Sequence, residues 1–482
     1  MANVVLINPR LSAWSPTVLI PLGLAYVAAV LENEANNVRI IDMNAERVND
    51  RHLQRRVRDA DIVGITGMIT EYQKVLRITN VIKESNEAIK VVLGGPLATT
   101  LPGKLLQVSK ADFMVIGEGE RTIVNLVSAI KQGRNFHDIK GIGYKEGDQI
   151  IITDPPEPIA NLDTIPFPAW HLLDMNRYLQ SQFHSSSSKM KGFGKIKSIS
   201  LTTSRGCPYN CTFCFKGMWG YKWRGRSPEN IIAEMTLLYK RYGVNGFFFN
   251  DDTFVLDRKR VFAFCKILNE KRLDVVWGCN GRVNLMTKEL LKAMYSAGCR
   301  EIAYGIESGS QQMLDSLKKN ITLDQVRDVV KWTKAAGIRA NGYFMIGLLG
   351  ETRDGIRQTI TFAEELDLDF YGFSLLTPLP GTELYHATVE RGLIQSDTTS
   401  FEDWTFKVNA NLTEDCSNGD LAAFKYELFR KFTLRYFGKY YMINPRFLKR
   451  LARVVLSLRN GNEVRVLAGM GRDIVRSYWY KA

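Results

Sequence analysis

The chain reads as an α/β protein with a doubly wound parallel sheet first, a partial (β/α)6 barrel second and a helical carboxyl-terminal tail. Three observations predict this. Short apolar runs alternate with amphipathic segments from residue 1 to about 135, the pattern of a parallel sheet covered on both faces. The alternation resumes at Ile196 with a longer beat and runs through six units. Between the two lies a proline-rich stretch, Asp154-Pro155-Pro156-Glu157-Pro158 and then Pro166 and Pro168, which reads as a linker.

In the first unit the strand-like runs are Val4–Ile7, Val38–Ile41, Ile62–Thr66, Val91–Leu93 and Phe113–Ile116. Four of the five end in small or turn-forming residues: Asn8-Pro9, Thr66-Gly67, Gly94-Gly95-Pro96 and Gly117-Glu118-Gly119-Glu120. Ligands of such sheets bind at the carboxyl ends of the strands, where glycines let a large flat ligand approach the backbone. Ile139 to Thr153 reads as a hairpin turning about Lys145-Glu146-Gly147-Asp148. Ser185 to Ser188, with Gly192 and Gly194, reads as a loop without regular structure. The expected divisions are therefore 1–138, 139–195 for hairpin and linker, 196–400 for the barrel, and 401–482 for a basic helical region.

In the second unit the expected strands are Ser198–Thr202, Val244–Asn250, Val275–Asn280, Glu301–Gly305, Ala340–Ile346 and Tyr371–Leu376. Ser227-Pro228 starts a helix with Pro at its first position, Thr322 with Gln325 forms a capping box, and Gly298 and Gly337 close two helices. Chemistry on a barrel of this kind gathers at the carboxyl ends of its strands.

The loop after the first of these strands carries Cys207, Cys211 and Cys214 in the spacing C-x3-C-x2-C, with Phe213 before the third cysteine. Three thiolates on one turn can hold three corners of a 4Fe-4S cluster and leave the fourth iron open. The competing reading is a zinc site completed by a distant histidine. Only five histidines exist, none in this loop, and no second C-x2-C pair is present. The other cysteines, Cys265, Cys279, Cys299 and Cys416, are scattered and read as core thiols.

These motifs together resemble the radical S-adenosylmethionine (SAM) enzymes, over residues 1 to about 385. Pro21-Leu22-Gly23-Leu24-Ala25-Tyr26, Leu93-Gly94-Gly95-Pro96 and Gly117-Glu118-Gly119-Glu120 resemble the amino-terminal domain of their cobalamin-dependent members. The resemblance implies that the open iron chelates SAM and that an electron from the cluster releases a 5′-deoxyadenosyl radical. It implies SAM contacts from Phe213, Asn250, Asp252, Arg282, Glu307, Ser308 and Ile346. Arg282 would pair a carboxylate and Glu307 would accept from ribose hydroxyls. For cobalamin it implies contacts from Pro9, Thr66, Gly94, Gly95, Gly117 and Glu118. The D-x-H-x-x-G motif of other cobalamin domains is absent: Asp42-Met43-Asn44-Ala45-Glu46-Arg47 stands nearest, so no histidine from that motif can ligate cobalt.

The implied reaction is methylation of an unactivated carbon on a small or lipid-like substrate. One SAM would supply the radical, methylcobalamin the methyl group, and a second SAM would remethylate cobalt. The alternatives are a cobalamin-linked ring closure or other carbon-skeleton change on a lipid or tetrapyrrole, and, outside enzymes, a cobalamin- or redox-sensing module. An electron donor such as flavodoxin or ferredoxin is implied.

The net charge of +14 is uneven. From Ser417 onward fourteen Lys/Arg face four acids, which is +10 for that tail alone. Leu421, Phe424, Leu428, Phe432 and Tyr436 recur at helical spacing among these cations. Most of that stripe reads as packing against the barrel. The basic excess suits an anionic membrane surface, with RNA as the rival. Methylthiotransferases that modify tRNA carry further amino-terminal cysteines and an added β-domain, neither evident here, so nucleic acid is not expected as a partner. No basic region precedes Val4, and the longest apolar run, Val18 to Leu31, is broken by Pro21. A cytoplasmic protein is expected, with peripheral contact at the inner membrane face.

Overall fold

The structure, a computed structural model, describes residues 1–11, 19–46, 48–181, 196–394 and 411–433. Strands β1 (Asn3–Asn8), β2 (Asn37–Asp42), β3 (Ile62–Thr66), β4 (Lys90–Gly94) and β5 (Phe113–Val115) are parallel. The expected hairpin forms as β6 (Ile142–Glu146) and β7 (Gln149–Ile152). It pairs antiparallel with β5, giving a seven-stranded sheet in the order β2-β1-β3-β4-β5-β6-β7. The hairpin thus extends the first sheet, and that unit's strands run past residue 138.

Alternation along each strand separates two cores. Val4 and Leu6 face one side and join the core that continues into the second unit, while Val5 and Ile7 face the other, with Val63, Ile65, Val91 and Leu93. Both faces are buried, so the strands read as nearly unbroken apolar runs.

The second unit contains β8 (Ser198–Leu201), a short antiparallel ribbon of β9 (Ser204–Arg205) and β10 (Arg224–Gly225), then β11 (Gly246–Phe249), β12 (Val276–Gly281), β13 (Cys299–Glu307), β14 (Arg339–Ile346) and β15 (Phe370–Leu375). Six of these form an all-parallel sheet in chain order, from β8 and β11 through to β15. The predicted punctuation is present. Ser227 accepts from the Asn230 N–H, Thr322 and Gln325 cap reciprocally, and Gly298 and Gly337 adopt φ of +92° and +81°.

The described part of the segment between the units, through Ser181, stitches them together. The Tyr178 hydroxyl donates to Asp42 at 2.7 Å, the Trp170 indole to Glu234 at 3.2 Å, and the Ser227 N–H to Asp163 at 2.9 Å. The loop around Ser185 to Ser188 lies outside the described residues.

The helix Asn418–Leu428 covers the barrel edge. Leu421, Phe424, Leu428 and Phe432 are buried, and Phe432 packs on Tyr371 and Phe373. The apolar stripe of the tail is used here as the helical spacing predicts. Tyr436 and the basic positions beyond Thr433 lie outside the described residues. No described helix is long and apolar enough to cross a membrane.

Candidate functional site: a cysteine loop against a glycine-rimmed cavity

The β9–β10 ribbon pinches off the loop that carries the three cysteines. Gly206 enters it at φ +83°, and a Cβ there would collide with the Lys222 carbonyl oxygen, so a residue with a side chain would force the turn open. The Cys214 N–H donates to the Cys211 carbonyl, and the Thr212 N–H to the Leu317 carbonyl, both at 3.1 Å. Cys207 Sγ lies 3.5 Å from the Thr253 hydroxyl. Cys211 Sγ is buried, 3.8 Å from Arg282 Nη1 and 3.9 Å from the Lys318 carbonyl oxygen. The surrounding protein pushes the Cys214 thiol up to about 11, while Lys216 and Lys319 pull it down.

Among the described residues no three His, Cys, Asp or Glu side chains gather as ligands of one metal ion. A cluster spreads its three thiolates over three irons, and the donor set here, three thiols on one turn beside three cations, suits it.

The strand-end residues divide into those that face the loop and those that hold it. Arg282 donates to the Lys319 carbonyl and to Cys211 Sγ, and its guanidinium lies 3.7 Å from the centre of the Tyr209 ring. It pairs with no carboxylate of the described protein, and its buried Nε has no partner. Glu307 sits in the left-handed region at φ +72°, where the β13–β14 register shifts. A non-glycine residue held there is strained, as groups at functional sites often are. Its carboxylate meets Lys319 Nζ at 2.6 Å, in a pair that is nearly buried. Asn250 and Asp252 are exposed at the end of β11, and Ile346 is buried at the end of β14. Phe213 packs against the small apolar cluster that includes Met313, Leu317 and Met345, with Lys319 Nζ 5.8 Å from its ring centre.

Two of the expected contact residues are engaged within the protein itself. Ser308, expected to face SAM, is fully buried: its hydroxyl bonds Thr359 at 3.0 Å and accepts the Ser310 N–H. It locks the turn after β13. Glu118, expected to touch cobalamin, is turned into the contact between units. It pairs with Arg205 and Arg224 and accepts the Ile159 N–H, while Glu120 takes the other arm of Arg205. An Arg buried between two units needs carboxylates near it, and Glu118 and Glu120 supply them. Asp251, between Asn250 and Asp252, accepts from Thr203 and Ser204 and holds the entry to the cysteine loop.

An open cavity lies at the carboxyl ends of the first sheet, lined by Thr66, Gly94, Gly95, Gly117, Gly23 and Leu24 among others. A Cβ on Gly23 would meet nothing within 4 Å, and one on Gly94 nothing nearer than 3.9 Å, so both glycines border open space. Pro9 is buried at the end of β1, where its carbonyl accepts from Asn44. Asn44 also accepts the Leu11 N–H, so the residue where a histidine would stand is a staple of the β1 and β2 loops. No described histidine lines this cavity. Met218 and Trp219 of the cysteine loop do line it, and Arg205 stacks on Trp219 at 4.4 Å. An open, glycine-walled, largely apolar cavity at this place fits a corrinoid.

Sequence reasoning missed Lys319, Trp219 and the Arg205–Glu118–Glu120 network. A usable signal was present in the paired glutamates of Gly117–Glu120 and the arginines flanking the cysteine loop.

Glu351, in the loop after β14, is buried and accepts the N–H groups of Gly347 and Leu348, while its Oε1 has no partner. Burial raises its pKa from 4.5 to about 7. A carboxyl raised in the folded state favours folding while protonated. Its contribution is therefore full below 4.5 and is lost as pH rises through about 7. Glu351→Gln keeps an acceptor and removes the charge. Its melting temperature is expected to change less than the parent's across that window; parallel curves would show that Glu351 does not titrate there.

Comparison with known proteins agrees with this geometry. The family model of the B12 binding domain matches residues 12–127 and that of the radical SAM superfamily residues 201–363. An uncharacterized methyltransferase of Pyrococcus horikoshii is 38% identical over 381 residues, covering 78% of this chain and 79% of that one. An anaerobic magnesium-protoporphyrin IX monomethyl ester cyclase of Rubrivivax gelatinosus is 30% identical over 376 residues, covering 76% of this chain and 65% of that one. Among solved structures, the radical SAM methyltransferase TsrM from Kitasatospora setae superposes with a TM-score of 0.68 at 21% identity, covering 81% of this chain and 75% of that one. The cobalamin-dependent SAM radical enzyme OxsB gives 0.76 at 18%, covering 99% and 72%. Two domain matches in this order, together with a relative similar over most of both chains, place the protein among the cobalamin-dependent radical SAM enzymes, whose cofactors are a 4Fe-4S cluster, SAM and cobalamin.

Proposed function

We propose that the protein methylates an unactivated carbon, with Cys207, Cys211 and Cys214 holding the cluster and the glycine-walled cavity holding cobalamin. The observation that carries this reading is the shared wall: Met218 and Trp219, on the cysteine loop itself, line the glycine-rimmed cavity. When bound, the cofactors supply a radical from one SAM and a methyl group drawn from a second. The chain's part is to hold them and exclude water. Arg282 and Lys319 keep positive charge beside the cysteines, and Glu307, Asn250, Asp252 and Ile346 offer contacts to SAM at the strand ends. A low-potential flavodoxin or ferredoxin would supply the electron.

The test is an anaerobic incubation of cluster- and cobalamin-loaded protein with SAM, reductant and a small-molecule extract. Deoxyadenosine and S-adenosylhomocysteine should form together, with a product heavier by one methylene. Deoxyadenosine without S-adenosylhomocysteine would favour the second reading, ring closure, which the 30% identity to the cyclase supports. Release of neither would leave a sensing module. Comparing metabolites and lipids of a deletion strain with its parent would identify the substrate.

The reading includes a cytoplasmic protein that reaches an anionic membrane through its tail. Lys431 pairs with Glu364 at 2.5 Å, so part of the tail's charge is spent on the barrel. The remaining cations past Thr433 would each add about 1 kcal/mol near such a surface. Full-length protein is expected to co-sediment with anionic but not neutral vesicles at low salt and to be released at high salt. Equal, negligible binding to both would refute the contact.

A further inference from the structure

Arg282 is a buried cation with no acid beside it. It is 8% exposed, and its contacts are with Cys211, Lys319 and Tyr209. A guanidinium taken out of water is costly to keep unless an anion lies near it. The neighbouring cations are engaged elsewhere. Lys319 pairs with Glu307 at 2.6 Å and Lys318 with Glu383 at 2.7 Å, while Lys216 donates to the Cys207 carbonyl at 3.3 Å. Arg282 alone among them directs an N–H at a cysteine sulfur, Nη1 to Cys211 Sγ at 3.8 Å.

The surroundings fix it in that direction. Nη2 donates to the Lys319 carbonyl, and the ring of Tyr209, from the cysteine loop itself, lies 3.7 Å from the guanidinium carbon. The backbone that supplies the carbonyl is strained. Lys318 and Asn320 adopt φ of +52° and +54°, a region that residues with side chains mostly avoid. That winding turns three successive carbonyls toward the cysteine loop and its arginine. Leu317 accepts the Thr212 N–H at 3.1 Å, Lys318 stands 3.9 Å from Cys211 Sγ, and Lys319 accepts from Arg282. Strain of this kind persists where the structure around it imposes it, often at functional sites.

We infer that Arg282 sets the reduction potential of the cluster, as a positioning residue that acts through Cys211. The inference rests on the cluster reading of the three cysteines and adds to it the residue that tunes the cluster. In the step concerned, a low-potential protein donor loses one electron and the cluster gains it. The reduced cluster carries one more negative charge than the oxidised one. A fixed cation at a ligand sulfur therefore stabilises the reduced form and raises the potential. The Lys318 carbonyl at the same sulfur works the other way, but it brings the end of a dipole against a full charge.

The test reads a potential and requires no turnover. Full-length protein, loaded with cluster and cobalamin and free of SAM, is poised anaerobically at a series of potentials, and EPR of the reduced cluster gives the midpoint. Arg282→Met removes the charge and keeps an apolar stem, Arg282→Gln keeps a donor without charge, and Arg282→Lys keeps the charge without the fork. Arg282→Met is expected to favour the reduced state about tenfold less, a midpoint about 59 mV more negative for one electron. Arg282→Gln should shift in the same direction, and Arg282→Lys by less than half as much. Because SAM is absent, a residue whose only part is to grip SAM would leave the midpoint where it is. A midpoint equal to the parent's in Arg282→Met overturns the inference. If Arg282→Met does not retain iron, Arg282→Gln and Arg282→Lys decide in its place, and equal midpoints for those two overturn it. A parent protein with no reducible iron–sulfur signal would remove the cluster reading and this inference with it. An unshifted variant beside an intact parent signal removes this inference alone.

Discussion

Replacing Cys207, Cys211 or Cys214 by Ala is expected to abolish SAM cleavage, lowering deoxyadenosine release by about 10³-fold or more, the scale of losing a group on which a whole reaction rests. All three thiols lie on one loop closed by the β9–β10 ribbon, so none has a substitute nearby. Cys416, on the carboxyl-terminal segment, and Cys265, in the barrel core, are controls: Cys416→Ala and Cys265→Ala should retain the parent's iron content after anaerobic reconstitution. Iron and sulfide analysis with the cleavage assay checks both halves. Full cleavage by Cys211→Ala would refute the cluster assignment, and loss of iron in Cys416→Ala would show that the count of ligands is wrong.

Filling the glycine-walled cavity should remove cobalamin without unfolding the protein. Gly94→Val suits this test. Gly94 has φ −143°, open to any residue, and its Cβ would lie 3.9 Å from Val115, so the added methyls enter the cavity. Overpacking typically costs about 1–3 kcal/mol, which is roughly 5- to 150-fold in corrinoid affinity. The melting temperature of the cobalamin-free protein should change little. Gly95 is a poorer position: at φ +79° a Cβ collides with the Thr66 hydroxyl, so a substitution strains the protein before any ligand arrives. Corrinoid absorbance of the purified variant and titration with aquacobalamin read the outcome. Unchanged binding by Gly94→Val would place cobalamin elsewhere.

The contrast between Gly94 and Gly95 shows where sequence reading stops. Both are visible as a glycine pair after an apolar run. Which of them faces ligand space depends on the direction of the chain as β4 passes into the next helix, and that is set by contacts with Thr66 and Val115 from other strands. Ser308 and Glu118 differ for the same reason. Each stands beside a motif glycine, and each side chain was claimed by a partner distant in sequence, Thr359 in one case and Arg205 and Arg224 in the other.

The sequence by itself determined the two parallel sheets, their strand order in chain order through the barrel, the helix caps, and the loop of three cysteines. These rest on local periodicity, on backbone conformation and on the short reach of a turn, all of which are written within a few residues. Only the tertiary structure decided which strand-end side chains face the loop, that the hairpin extends the first sheet, that Met218 and Trp219 wall the cavity of the other unit, and that Arg282 turns to Cys211. Those outcomes are settled by competition for partners among residues far apart in the chain, and a buried charge or hydroxyl takes whichever partner the packing leaves within reach.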